Sequence, residues 1–267
     1  MKLLNKFITA IIATTFLVGC SSGQKEEGPP SDKDFILNVS KGLEARWELT
    51  DNIDTDGMSP SEEQNAYAKF LKAEKDAVGQ KSQYEIKDEN LKKLVDQYYT
   101  GLELQEDGIQ YQGTDDYTNQ EKTWVLGYNY RTLVIYKLEK DYGLTVNSKY
   151  QNTLDDFLAQ YSVAKKSVTI QEYVDDLQDS IQYTKDEEKS DEYATYYKAI
   201  VENPTEYTID SVQIQLDFLD GSGVVLYQGN DYLQNLAPGA KYESSIFYET
   251  EKGEPSSMKP TITVYYN

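Results

Sequence analysis

The sequence predicts an α+β protein of more than one domain, an N-terminal helical bundle followed by a small antiparallel β-sandwich. Three observations carry this. Between residues 34 and 182 the apolar side chains recur at the three-to-four spacing of one helix face. Residues 184–192 then form a charged and polar run without an apolar side chain. From residue 193 the period falls to two, in short β-branched and aromatic runs separated by Gly, Pro, Asn and Asp.

The helices follow in order. Ile36, Val39, Leu43 and Trp47 make one stripe; Tyr67, Phe70 and Leu71 begin a second; Leu91, Leu94, Val95, Tyr98 and Leu102 make a third. A longer segment carries Trp124, Tyr128, Val134, Ile135 and Leu138 and ends near Tyr142, with Gly143 as its C-cap. Two shorter helices run through Leu154, Phe157, Leu158 and Tyr161, and through Ile170, Tyr173, Val174, Leu177 and Ile181. Strands are expected at 193–201, 212–219, 224–227, 242–248 and 261–266. The turns between them are Asn203-Pro204, Asp220-Gly221-Ser222-Gly223, Pro238-Gly239 and Gly253-Glu254-Pro255. The resulting division is 1–19, a tether at 20–33, a helical domain at 34–182, a linker at 183–192 and a β-domain at 193–267.

The N-terminus begins with Lys2 and Lys6 and continues in an uncharged apolar stretch to Leu17-Val18-Gly19-Cys20, where a small residue precedes the only cysteine. This pattern resembles a bacterial lipoprotein signal peptide ending in a lipobox. The resemblance implies cleavage before Cys20 and attachment of diacylglycerol and acyl chains such as palmitate to that residue. It also implies a lipid-anchored location on the extracytoplasmic face of the cell membrane. The apolar stretch falls short of the roughly 20 residues that span a bilayer. Residues 20–33 lack large apolar side chains and read as a flexible tether.

Composition excludes several chemistries. Loss of Lys2 and Lys6 would take the 26 basic side chains to 24 against 46 acidic ones, a net charge of −22 in place of −20. Such a surface repels nucleic acid and anionic headgroups, so membrane residence must come from the lipid. Histidine is absent and the one cysteine is committed to acylation, which removes imidazole acid-base catalysis, thiol nucleophiles and Cys or His metal sites. Tyrosine is abundant, 24 residues against 7 Phe and 2 Trp, and combines a large contact area with a polar tip.

In the C-terminal part, Ala199-Ile200-Val201 leads into Asn203-Pro204-Thr205, the strand 212–219 enters Asp220-Gly221-Ser222-Gly223-Val224, and Leu236-Ala237-Pro238-Gly239 precedes the strand 242–248. These features resemble the FxLYD-type β-sandwich domain of bacterial envelope lipoproteins. The five-residue signature is altered to Leu216-Asp217-Phe218-Leu219-Asp220, with only the terminal Asp in place. The resemblance covers about a quarter of the chain and implies a fold and an envelope setting, with no catalytic residues to transfer.

Two constellations suggest a site. Asn52, Asp54, Asp56 and Glu63, with Gly57 between, imitate a calcium loop. The competing account is a turn at Asp56-Gly57 followed by a helix start, with Ser59 as N-cap, Pro60 at the first position and Glu62 at the third. The only arginines, Arg46 and Arg131, are candidate ligand contacts or members of a structural ion pair. Adjacent carboxylates such as Asp115-Asp116, Asp155-Asp156 and Asp175-Asp176 diverge by about 100° on a helix and form no dyad. The expected function is binding or scaffolding of an envelope protein or cell-wall polymer, without catalysis, cofactor or nucleic acid. A cell-surface receptor for a small ligand or ion is the alternative, and a carboxylate-dependent hydrolase the third possibility.

Overall fold

The computed structural model of the chain describes residues 30–266. Leu17, Val18, Gly19, Cys20 and the rest of 1–29 lie outside the described residues. The fold is α+β: helices form the N-terminal part and two three-stranded antiparallel sheets the C-terminal part.

Helix α1 (Asp32–Asn52) begins inside the expected tether. The backbone amide and hydroxyl of Ser31 both donate to the Asp34 carboxylate at 2.7 Å, which closes the first turn and holds that carboxyl below its ordinary range. Helix α2 (Pro60–Val78) starts the same way, with Ser59 donating to Glu62. Asp88 caps α3 (Glu89–Gly108) by accepting from the Asn90 and Leu91 amides. The long expected helix is a short α4 (Tyr117–Gln120), a π-helical turn at Glu121–Val125 and α5 (Leu126–Tyr142), which ends at Gly143 with φ 69°. Two more helices follow, α6 (Gln151–Ala159) and α7 (Tyr161–Ser180). Their facing stripes close one core that includes Phe35, Leu43, Leu91, Tyr98, Ile135 and Leu154. Full burial of each such side chain contributes about 1.5–3 kcal/mol before entropy is counted.

The first sheet has the order β1 (Thr184–Asp186), β2 (Ala194–Glu202), β5 (Lys241–Glu249); the second has β4 (Val225–Leu236), β3 (Ile209–Leu219), β6 (Ser257–Tyr265). Strand β1 falls in the segment expected to be a linker. Its Asp186 is buried despite its charge: burial pushes the carboxyl up, and Lys198 at 3.3 Å with backbone amides overcomes this and holds it low. Strand β4 runs well past its expected end: Gly229, Asn230 and Asp231 have low strand propensity and hide the continuation in the sequence, while pairing with β3 holds it in the sheet. Strand β6 starts earlier than expected, through Pro260, which an edge strand tolerates.

Asn203 ties the sandwich together with no solvent exposure. Its amide donates to the Leu236 and Tyr207 carbonyls, its Oδ1 accepts from the Thr205 amide and hydroxyl, and its backbone bonds to Ala240 and Gly239. Helix α7 joins the two parts. Ile170, Tyr173, Val174 and Leu177 belong to the same apolar cluster as Ile209, Leu216 and Ile246 of the sandwich. Gln178 covers the edge of β6 by accepting from the Ile262 amide, while on α7's other side Tyr161 stacks on Tyr136 of α5 at 3.7 Å.

Candidate functional site

Both arginines converge on one carboxylate. Glu74 of α2 receives Arg46 Nη1 from α1 at 2.9 Å on Oε2, and Arg131 Nη2 from α5 at 2.6 Å on each oxygen. Arg131 Nε and the Tyr98 hydroxyl add bonds of 3.0 and 2.6 Å to Oε1. Gln105 Oε1 accepts from both guanidiniums. Glu74 and Gln105 are fully buried, and Arg46, the least enclosed, is 8 % exposed.

Geometry permits this because α3 and α5 cross closely at two glycines. A Cβ on Gly127 would lie 2.5 Å from the Gly101 carbonyl oxygen, and one on Gly101 would lie 2.9 Å from Arg131 Cγ. The π-helical turn places the Trp124 ring 5.5 Å from the Arg46 guanidinium carbon, with Tyr67 edge-on at 4.9 Å.

Electrostatics fix the charge states. Burial pushes the Glu74 carboxyl up; the two guanidiniums and the Tyr98 hydroxyl overcome it and hold the group below its ordinary value. Burial and the neighbouring Arg131 lower Arg46, whereas Glu74 raises Arg131 against its own burial. Two positive charges around one negative charge leave a net positive centre inside the bundle. This is the ion-pair arrangement of the two offered by the sequence. Shallow depressions of about 300 Å³, beside Tyr183 and Met258, and about 270 Å³, beside Leu37 and Tyr142, are lined by other residues.

Sequence reading did not single out Glu74 or Gln105. The signal is present: Glu74 lies four residues after Phe70 and four before Val78 on the buried face of α2, and Gln105 lies seven after Tyr98 on that of α3. A polar residue at an apolar-face position marks a partner for a buried charge.

The calcium-like residues do not come together. Asn52 donates to the Glu48 carbonyl at 2.6 Å, Asp54 accepts from the Asp56 amide in a local turn, and Glu63 lies on α2 against Gly113. Among the described residues, no group of three or more acidic side chains is placed to hold a metal ion.

A second surface stands out on the sandwich. The outward residues of β4, β3 and β6 lie in register as Gln234–Ser211–Tyr265, Tyr232–Gln213–Thr263, Asn230–Gln215–Thr261 and Gln228–Asp217–Lys259. Tyr232 and Tyr265 are 60 % and 55 % exposed. Asp217 Oδ1 accepts from the Gln215 and Gln228 amides at 3.1 and 2.9 Å, which fixes one end of the array.

Fold and sites together define a helical bundle locked by a buried Arg–Glu–Arg centre and joined through one helix to a β-sandwich with an open polar-aromatic face. No protein-family model and no curated protein matches the chain.

Proposed function

We propose that the protein is a lipid-anchored envelope protein on the extracytoplasmic face of a bacterial cell membrane. It works by binding or scaffolding an envelope protein or wall polymer, not by catalysis. The observation that carries this reading is the disposition of its recognition chemistry: both arginines are engaged by Glu74 inside the bundle, while large aromatic side chains stand exposed on rigid strands. Exposed tyrosine on a fixed backbone supplies contact area at small entropic cost.

The Leu17-Val18-Gly19-Cys20 pattern supports the anchor. Residues 20–29 lead from it to Pro30, a reach of up to about 33 Å if extended. The sandwich topology and the Asn203 turn support the FxLYD-like resemblance.

The test is metabolic labelling with an alkyne fatty acid, followed by membrane fractionation. Labelled protein in the membrane fraction, with label and sedimentation both lost in Cys20→Ala, is the expected result. Unlabelled protein, or membrane association unchanged in Cys20→Ala, would refute the anchor.

A further inference from the structure

We propose that the outer face of the β4–β3–β6 sheet is a docking surface for an uncharged linear polysaccharide. This deepens the binding reading above and is independent of the lipid anchor.

Charge is the first argument. The chain carries a net charge of −20, yet the four rows of this face hold one anion and one cation, Asp217 and Lys259, opposite each other in register. An anionic polymer would meet the repulsive field of the whole protein, and a cationic one would be drawn to its acidic surfaces instead. A patch balanced to zero selects an uncharged partner.

Hydrogen-bonding chemistry is the second. Gln213, Gln215, Gln228 and Asn230 each present a planar amide with both donor and acceptor, and Thr261 and Thr263 add hydroxyls. Sugar hydroxyls are likewise donor and acceptor at one atom, so a grid of this kind satisfies them without ionic partners. The Asp217 carboxylate, tied to two of these amides, orders the grid before a ligand arrives.

Shape is the third. Tyr232 and Tyr265 sit on the two outer strands in adjacent rows, two interstrand spacings across and two residues along, about 12 Å apart. Their rings offer apolar faces for the C–H faces of pyranose rings, and the rows from Ser211 to Asp217 extend about 20 Å along the strand. That footprint accommodates several successive sugar units of an extended chain.

The test is affinity electrophoresis of the full protein in gels containing hydroxyethylcellulose, glucomannan, polygalacturonate or glycol chitosan. Retardation by at least one of the two neutral polymers is expected, with little effect of polygalacturonate, while any retention by the cationic glycol chitosan reflects the net charge of −20 and is the same in the native chain and the variants. The double substitution Tyr232→Ala/Tyr265→Ala should weaken retention at least tenfold, and Gln213→Ala severalfold, while Tyr117→Ala, on α4, leaves it unchanged. Circular dichroism and unfolding midpoints confirm that each variant is folded.

No retardation by either neutral polymer would overturn the proposal, as would retention by a charged polymer that the double variant loses. Equal retention of the folded double variant would also overturn it. If the double variant changes only the sedimentation of the protein, the face joins copies of this chain and the proposal fails. With no retardation by either neutral polymer, capture of an envelope protein by the native chain and the double variant alike would leave the binding reading standing while this one falls.

Discussion

Arg131 holds Glu74 with both carboxylate oxygens 2.6 Å from one guanidinium nitrogen, in a core where the carboxylate has no exposure. Among the described residues Glu74 is the one anion bonded to these two guanidiniums, so removing it strands both charges. Glu74→Gln should cost about 3–5 kcal/mol in urea unfolding, the range for breaking a buried pair. Replacing Arg46, Glu74 and Arg131 together by apolar residues of similar volume should cost far less. Equal losses in both variants would show that shape, not charge, governs the site.

Acid titration gives a second check. The folded Glu74 carboxyl lies below its ordinary value of 4.5, so the unfolded chain takes up this proton first as the pH falls. Its contribution is complete above that value and is lost as the pH drops through the lower folded value. Unfolding free energy of the native chain should therefore fall more steeply below about pH 4.5 than that of Glu74→Gln. Parallel curves would contradict the assigned shift.

Gly127→Ala drives a methyl group to 2.5 Å from the Gly101 carbonyl oxygen. The α3–α5 crossing must widen, at about 1–3 kcal/mol by overpacking, and the Gln105 bond to Arg131 lengthens with it. Gly221→Ala, where the nearest atom is 3.6 Å away, should change thermal stability little. A neutral Gly127→Ala would mean that the helices are not held in this contact.

Two buried tyrosines should respond in opposite ways to loss of their hydroxyls. Tyr98 donates to Glu74, whereas the Tyr173 hydroxyl is buried and has no hydrogen-bond partner among the described residues. Tyr98→Phe should destabilise by about 1.5–3 kcal/mol, as for a bond to a charged group, and Tyr173→Phe should be neutral or stabilising. Calorimetry of the two variants side by side reads the difference directly.

Much of the architecture was legible from local pattern. The helical stripes through Val39, Leu43, Leu94, Tyr98 and Ile135 all face the core, because burial of an apolar face is set by spacing. Strand β1 was not, since Thr184, Lys185 and Asp186 carry no apolar alternation and pair only because β2 offers its edge. Nor was the role of α7: its stripe reads as that of any amphipathic helix, and only the fold shows that the stripe meets the sandwich. The arginines were legible as special by scarcity, while their common partner Glu74 required the tertiary contact of α1, α2 and α5.

Asn203→Ala removes four side-chain hydrogen bonds beside the end of β2, one of them to the buried Leu236 carbonyl and one to the half-buried Tyr207 carbonyl. A loss of about 2–4 kcal/mol is expected in denaturant unfolding. Asn203→Asp should be intermediate or as severe, since it keeps the acceptor to Thr205 and loses the amide donor. Full stability in either variant would remove Asn203 as the organising residue of the turn.

The central claim is that this protein engages a partner in the envelope through its exposed aromatic surface. Site-specific photocrosslinking in intact cells, with the crosslinking residue at position 232 of the lipidated protein, tests it most directly. A discrete adduct with wall polymer or an envelope protein, lost when Cys20→Ala releases the protein from the membrane, is the predicted result. Absence of any adduct from position 232 and from the exposed aromatic positions 117, 193, 247 and 265 would contradict the account.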